Sequence, residues 1–330
     1  MQILRTTSLP IAAAIVFMSA AGPDAPPAPT MPALSHALGY YDVRLGRSVV
    51  VGAPGDPVGD GRDSVWSWSG TVWDFVAASG PTGRTNAGAA YERARERAVV
   101  AGGARQVTAG QWQIVGDSWV TEGGAWKRIG DIPARDHNTL VETRGGGVLM
   151  FGGIPSDRSA AWPGDTWELR GDSWQQVATE GPGGRGRTAM AFDRARGEVV
   201  LFGGVTGPNP DQSQTFLGDT WTWNGARWRK VAETGPRGRY AHAMVFDERR
   251  KVVLLFSGAG AHRGAPLEDM WQWDGKTWTE IPLGGTSPGH RYQPVMMYDA
   301  ARGRTVLVGG LGGHDDTWEW DGTRWHRVAP

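Results

Sequence analysis

Five arginines recur in one local setting. Arg84, Arg185, Arg239 and Arg291 each close a Pro-x-x-Arg tetrapeptide, and Arg135 closes a Pro-x-Arg one residue shorter. A guanidinium is a planar fork that bonds two oxygens at once, so several at one place would suit carboxylates or phosphates. Two readings follow. The arginines surround one end of a channel and form a mouth for an anion or acidic peptide, or each satisfies backbone carbonyls of a neighbouring unit. A residue repeated five times readily serves the repeat itself. Close to these arginines lie His137, Asn138, Tyr240, His242, Tyr292 and Gln293, and elsewhere stand Trp112, Trp162, His262 and His314. Singly, each is an ordinary surface or core residue. Gathered together they would line an aromatic, Arg- and His-bearing cleft of the kind that binds sugars or peptides.

Other chemistry is excluded or unsupported. The chain has no cysteine, hence no disulfide, thiolate zinc site or cysteine nucleophile. It has no Gly-x-Ser-x-Gly elbow, Walker loop or His-Glu-x-x-His. Asp56, Asp60 and Asp63 lie in a Gly-rich stretch, but their spacing is not that of an EF-hand loop, and solvated turn acids are the plainer reading. The histidines lack zinc-ligand spacing. No metal and no cofactor is expected. With 34 basic and 34 acidic side chains, no charge excess points to nucleic acid or an anionic membrane.

The elements that would position these residues are repeats. Trp66, Trp119, Trp167, Trp221, Trp271 and Trp318 recur about every 50 residues, and a second tryptophan follows each at the seventh position: Trp73, Trp126, Trp174, Trp228, Trp278 and Trp325. Trp68, Trp223, Trp273 and Trp320 stand two residues after the first member of four of the pairs, and Trp112 and Trp162 fall outside both patterns. A Gly pair or its remnant precedes each pair, as Gly203-Gly204 and Ser257-Gly258 do. Each repeat reads as four strands, A to D. Strand B is a continuous apolar run such as Val252-Val253-Leu254-Leu255-Phe256, as expected of a strand buried on both faces. Strand C alternates, which puts Trp271 and Trp273 on one side. Asn224-Gly225, Asp274-Gly275 and Asp321-Gly322 between C and D are dipeptides that a two-residue type I′ hairpin prefers. A lone four-stranded sheet cannot bury both faces, whereas six stacked around an axis can, with the tryptophans filling the gaps between them. Sugar-stacking platforms are the competing use of those tryptophans.

The apolar strand ending Phe202-Gly203-Gly204, the Asp219-Thr220-Trp221 opening strand C and the later Trp228 together resemble the kelch repeat, over residues 34–330. The resemblance implies an all-β, six-bladed kelch-type propeller of four antiparallel strands per blade, in the galactose-oxidase-like superfamily. The blades would span about 34–78, 79–131, 132–179, 180–233, 234–284 and 285–330. The first departs most, with Gly52-Ala53 for the Gly pair. No clear strand precedes Leu34 to close the ring with shared strands, so closure would rest on packing between the first and last blades, unless linker residues add an edge strand. Kelch arginines at this point of the repeat often face the ligand. Kelch propellers include enzymes. Galactose oxidase needs a copper site with a Cys–Tyr cross-link, which cannot form here. N-acetylneuraminate epimerase has an Arg-rich channel mouth, but no motif specific to it is present.

In a meander of this kind the short A–B and C–D turns share one face. The D–A loops, with the arginines, share the other with the long insertions at 104–116, 154–164, 205–218 and 259–268. Binding usually resides on such variable loops. At the N-terminus Arg5, an apolar run from Leu9 to Met18 and small residues Ser19-Ala20-Ala21 have the form of a signal peptide over 1–21, followed by a Pro-rich linker at 22–33. The expectation is therefore a secreted, extracellular or periplasmic protein. It would be a monomeric binding module facing a protein, peptide or glycan, without nucleic acid as partner and without membrane insertion once the signal is cleaved. The alternatives are a carbohydrate-active enzyme at the channel mouth, such as a sugar-acid isomerase, mutarotase or lyase, and a purely structural surface protein.

Overall fold

The computed structural model describes residues 36–52, 64–77, 80–81, 83–108, 110–207, 213–260, 266–311 and 314–329. The expected signal peptide and linker, Asp56, Asp60, Asp63 and His262 lie outside the described residues. Among the described residues regular structure is all β apart from one 3-10 turn at Arg93–Arg95. No helix among the described residues is long and apolar enough to cross a membrane.

The strands form four-stranded antiparallel meanders, A to D in spatial order. The innermost strands A are Leu38–Asp42, Gly88–Glu92, Thr139–Glu142, Ala189–Asp193, Ala243–Asp247 and Val295–Asp299. Each packs against the next in chain order, and Val295–Asp299 packs against Leu38–Asp42. The sheets therefore follow one another around a common axis, the architecture of a β-propeller. The apolar strands B supply the core: Val99, Val100, Leu201, Phe202, Leu254, Leu255, Val306 and Leu307 are all wholly or almost wholly buried.

The periodic tryptophans fill the seams and carry a polar handle across them. Trp174 Nε1 donates to Ser118 Oγ of the preceding sheet at 2.9 Å, Trp228 to Thr166 Oγ1 at 2.8 Å and Trp278 to Thr220 Oγ1 at 2.8 Å. The same bond joins the first sheet to the last, from Trp73 Nε1 to Thr317 Oγ1 at 2.9 Å, beside Trp68 Nε1 to Glu319 Oε1 at 2.7 Å. Val50, Trp68, Val295, Met297 and Val306 form one apolar cluster at that junction. Among the described residues these two sheets share no strand, and packing and side-chain bonds join them.

Two local expectations are corrected. The C–D connections at Asn224-Gly225, Asp274-Gly275 and Asp321-Gly322 are not two-residue type I′ turns. Trp273 pairs with Trp278, which leaves a four-residue loop. In it Asp274 Oδ1 accepts from the backbone N–H of Lys276 and Thr277, and only Gly275 takes a positive φ, of 96°. The side chain caps the turn, so one left-handed residue is enough. Nor are the B–C insertions irregular throughout. Ala104–Thr108 and Gln111–Ile114 form a hairpin, and Ile154–Pro155, Val205–Thr206 and Ala259–Gly260 each pair with the segment carrying that repeat's arginine.

Candidate functional site

The five arginines do not line an open mouth. Arg239 is fully buried; its Nη1 and Nη2 grip Asp269 at 2.6 and 2.7 Å, and Nη1 also bonds the Ser257 carbonyl at 2.9 Å. Arg84 holds Asp117, Arg135 holds Asp165, Arg185 holds Asp219 and Arg291 holds Asp316 in the same way. Each arginine also bonds the carbonyl of the first residue of the Gly-pair position and one near its own proline, as Arg84 does with Gly102 and Pro81. The partners belong to the arginine's own repeat, which also corrects the expectation of carbonyls from a neighbouring one. The aspartate then takes the indole N–H two residues on, Trp271 Nε1 lying 2.7 Å from Asp269 Oδ2. Burial alone would raise Asp269, but the bonds from Arg239 and Trp271 and the charge of Arg239 outweigh it and hold the carboxyl below its ordinary value. The first repeat omits the whole device. In sequence Leu34, outside the described residues, falls at the arginine's offset, and Ser64 replaces the aspartate and accepts from Trp66 Nε1 at 2.9 Å. An unpaired buried carboxylate is avoided because both partners are absent together.

The axis is reached by a different set of residues, two positions after each arginine. Asn86, His137, Arg187, Ala241 and Gln293, with His36 in the first repeat, all have left-handed backbones, with φ between 50° and 59°. A non-glycine residue there costs about 1–2 kcal/mol. The conformation is held by bonds from repeat to repeat: His137 N to the Asn86 carbonyl at 2.7 Å, Arg187 N to His137 at 3.2 Å, Ala241 N to Arg187 at 3.2 Å, and Gln293 N to Ala241 at 2.7 Å. The ring of residues surrounds a cavity of about 170 Å³ whose wall includes His36, Asn86, His137, Asn138, Arg187 and Gln293. It opens on the face of the D–A and B–C loops. Such clustered backbone strain is a pointer to function.

The electrostatics of this hollow are cationic. Arg187 lies against Tyr240, its Cζ 5.5 Å from the ring centroid, and its Nε is buried without a hydrogen-bond partner. His137 Nδ1 stands 3.1 Å from Asp136 Oδ1, close enough for charge coupling but misaligned for a hydrogen bond, and Arg158 Nη2 holds the other carboxylate oxygen at 3.0 Å. Burial pushes His137 below the ordinary imidazole value. Asp136 partly offsets this, and the charges of Arg187 and Arg158 add to it. Burial likewise lowers His36, with His137 and Arg187 contributing. Both imidazoles are neutral at pH 7.

The other residues expected at a site are dispersed. His137 and Asn138 reach the hollow, and His242 borders it deep in the fold. There His242 is neutral, with a pKa lowered to about 3 by burial and by Arg239, and it packs edge-on against Phe202. Tyr240 and Tyr292 sit 6.4 Å apart in an aromatic row with Phe216 and His290. His314 is half-buried beside Arg291 and His290. Trp162 is not an exposed platform: it is buried with Ile154 and Val205. Trp112 is 45% exposed on the Gln111–Ile114 strand of the hairpin. Asn86, Arg187 and His36 were not singled out from sequence, although their fixed offset from the arginines was there to be read. At the opposite end of the axis Arg93, Glu142, Arg194 and Glu248 form an alternating quartet, with Arg93 Nε 3.4 Å from Glu142 and Arg194 Nε 3.0 Å from Glu248. These charges satisfy one another.

Fold and hollow together define a β-propeller with a polar pocket on its axis. Comparison with solved structures agrees on the fold: YjhT matches with a TM-score of 0.68 and 14% identity over 90% of this chain and 98% of its own. Among curated proteins, a stretch of 155 residues is 30% identical to tRNA wybutosine-synthesizing protein 4 of Emericella nidulans, covering 43% of this chain and 14% of that protein. The Aspergillus fumigatus protein of the same name is 29% identical over 153 residues, 43% of this chain and 13% of that one. The chain thus spans only a small part of the length of these relatives. No family model matches.

Proposed function

We propose that this protein is a six-bladed, kelch-type propeller that acts outside the cytoplasm as a binding module, taking a protein, peptide or glycan on the D–A face, with the axial hollow as the centre of contact. One observation carries this. Buried polar atoms without partners gather at the hollow, namely Arg187 Nε and Asn138 Oδ1. Buried polar groups left unpaired cost free energy that a ligand can recover. The exposed Trp112 offers a flat apolar surface on the same face. Glycan and peptide arrays test the reading. Binding should be lost in Gln293→Ala and kept in Lys276→Ala, an exposed residue of the opposite face. Loss with Lys276→Ala and retention with Gln293→Ala would place the contact elsewhere.

A second reading, an enzyme acting on sugar acids at the same mouth, is favoured by His137 with the buried carboxylate of Asp136 behind it, an arrangement suited to proton transfer. Interconversion of a sugar acid's anomers or isomers, followed by NMR and abolished by His137→Gln, would support it.

A further inference from the structure

Among the described residues Arg187 forms no ion pair, although it is a half-buried guanidinium flanked by two imidazoles. This is unlike the five fork arginines, each of which holds an aspartate. The one nearby carboxylate, Asp136, is already held by Arg158 on one oxygen and lies against His137 on the other. A cation partly removed from water and facing an open cavity lacks a counter-charge that the fold itself does not provide. The wall also carries neutral amides, Asn86, Asn138 and Gln293, with Gln293 Nε2 donating to Asn86 Oδ1 at 3.2 Å, the hydroxyl residues Thr139 and Thr188, and His242, which burial keeps neutral.

We infer that the axial hollow is an oxyanion site for a small carboxylate, with Arg187 as the fixed charge, His137 as a donor that is protonated as the ligand enters, and the amides as partners for a neighbouring hydroxyl. The inference rests on the binding reading above and gives its ligand a chemistry. His137 Nδ1 lies against Asp136, so Nε2 is the ring nitrogen left for the ligand. The free site keeps this imidazole neutral because burial and two guanidiniums oppose its charge; an anion beside it reverses the balance. His36 titrates in the same field, facing His137 and Arg187. Binding therefore takes up a proton from solvent. Affinity increases by up to tenfold per pH unit as pH falls through the range between the bound-state and free-state pKa values, and is level below the free-state value.

Isothermal titration of the purified protein with lactate, and separately with inorganic phosphate, at two pH values and in two buffers of different ionisation heat tests this. Lactate should bind with net proton uptake. His137→Gln, which keeps a donor but does not titrate, should bind with most of that uptake gone. Arg187→Met should lose binding at least tenfold while its thermal midpoint stays within a few degrees of wild type, and Arg187→Lys should recover part of it. Lactate binding without proton uptake, or binding indifferent to Arg187→Met, would overturn the inference. Phosphate preferred over lactate would overturn the carboxylate assignment. No binding of either anion, with array ligands still bound through Gln293, would sink the oxyanion site and leave the binding module standing.

Discussion

Replacing Thr220 by Val keeps the shape of the seam and removes one atom's chemistry. Thr220 Oγ1 accepts from Trp278 Nε1 at 2.8 Å, and Trp278 is 9% exposed, so water has little access to replace the lost partner. A buried donor left without an acceptor costs about 1–3 kcal/mol, which for a chain of this size is a fall in thermal midpoint of a few degrees. The molecule carries its own control. At the equivalent seam Met270 occupies the threonine position, and Trp325 Nε1 is already buried without a partner. Trp325→Phe therefore removes an orphaned donor, whereas Trp278→Phe breaks a bond and strands a hydroxyl. Trp278→Phe should be the more destabilising by about 1 kcal/mol. A double-mutant cycle of Thr220→Val with Trp278→Phe, read by urea midpoints, should give a coupling of about 1 kcal/mol. Additivity within about 0.3 kcal/mol, or equal costs for the two tryptophan changes, would refute the claim that these indoles latch one sheet to the next.

The fork arginines lead to a second expectation. Asp117, Asp165, Asp219, Asp269 and Asp316 all titrate below the ordinary carboxylate value, so they contribute stability that is full above about pH 4 and is lost as pH falls through their folded values. Asp269→Asn should cost about 3–5 kcal/mol at neutral pH by leaving Arg239 buried without its counter-charge, and should flatten that acid limb in a pH series of denaturation curves. His242 acts at higher pH. The unfolded imidazole takes a proton near 6.5 and the folded one near 3, so stability declines as pH falls between those values, and His242→Leu should lessen that decline, leaving the part contributed by the lowered His36 and His137. The two unpatterned tryptophans should separate cleanly in melting experiments, Trp162→Ala costing about 3–5 kcal/mol and Trp112→Ala less than about 0.5 kcal/mol.

The sheets were legible because their determinants are local. Trp271 and Trp278, seven residues apart, and the apolar run ending at Phe256 state a strand order within one repeat. The Arg–Asp forks were half legible. Arg185 and Asp219 were each noticed, but the bond joins positions 34 residues apart, and nothing in the sequence beside either announces the other. The C–D turns were misread because Asp-Gly satisfies two turn geometries, and the choice is made by whether the Asp274 side chain caps the N–H groups of Lys276 and Thr277. The ring around the axis was the least visible. His36, Asn86, His137, Arg187, Ala241 and Gln293 share a backbone angle and not a side-chain type. Their left-handed conformation is imposed by bonds between repeats, which residue preferences do not encode. Position relative to the arginine was the surviving signal, and it is what distinguishes the unpaired Arg187 from the buried Arg185 two residues earlier.

A crystal structure of the protein soaked with lactate tests the axial site most directly. Density for the acid should lie between the Arg187 guanidinium and His137 Nε2, with the five Arg–Asp forks unbroken. Density instead at the opposite end of the axis beside Arg93 and Arg194, or a ligand displacing Asp269 from Arg239, would contradict the assignment.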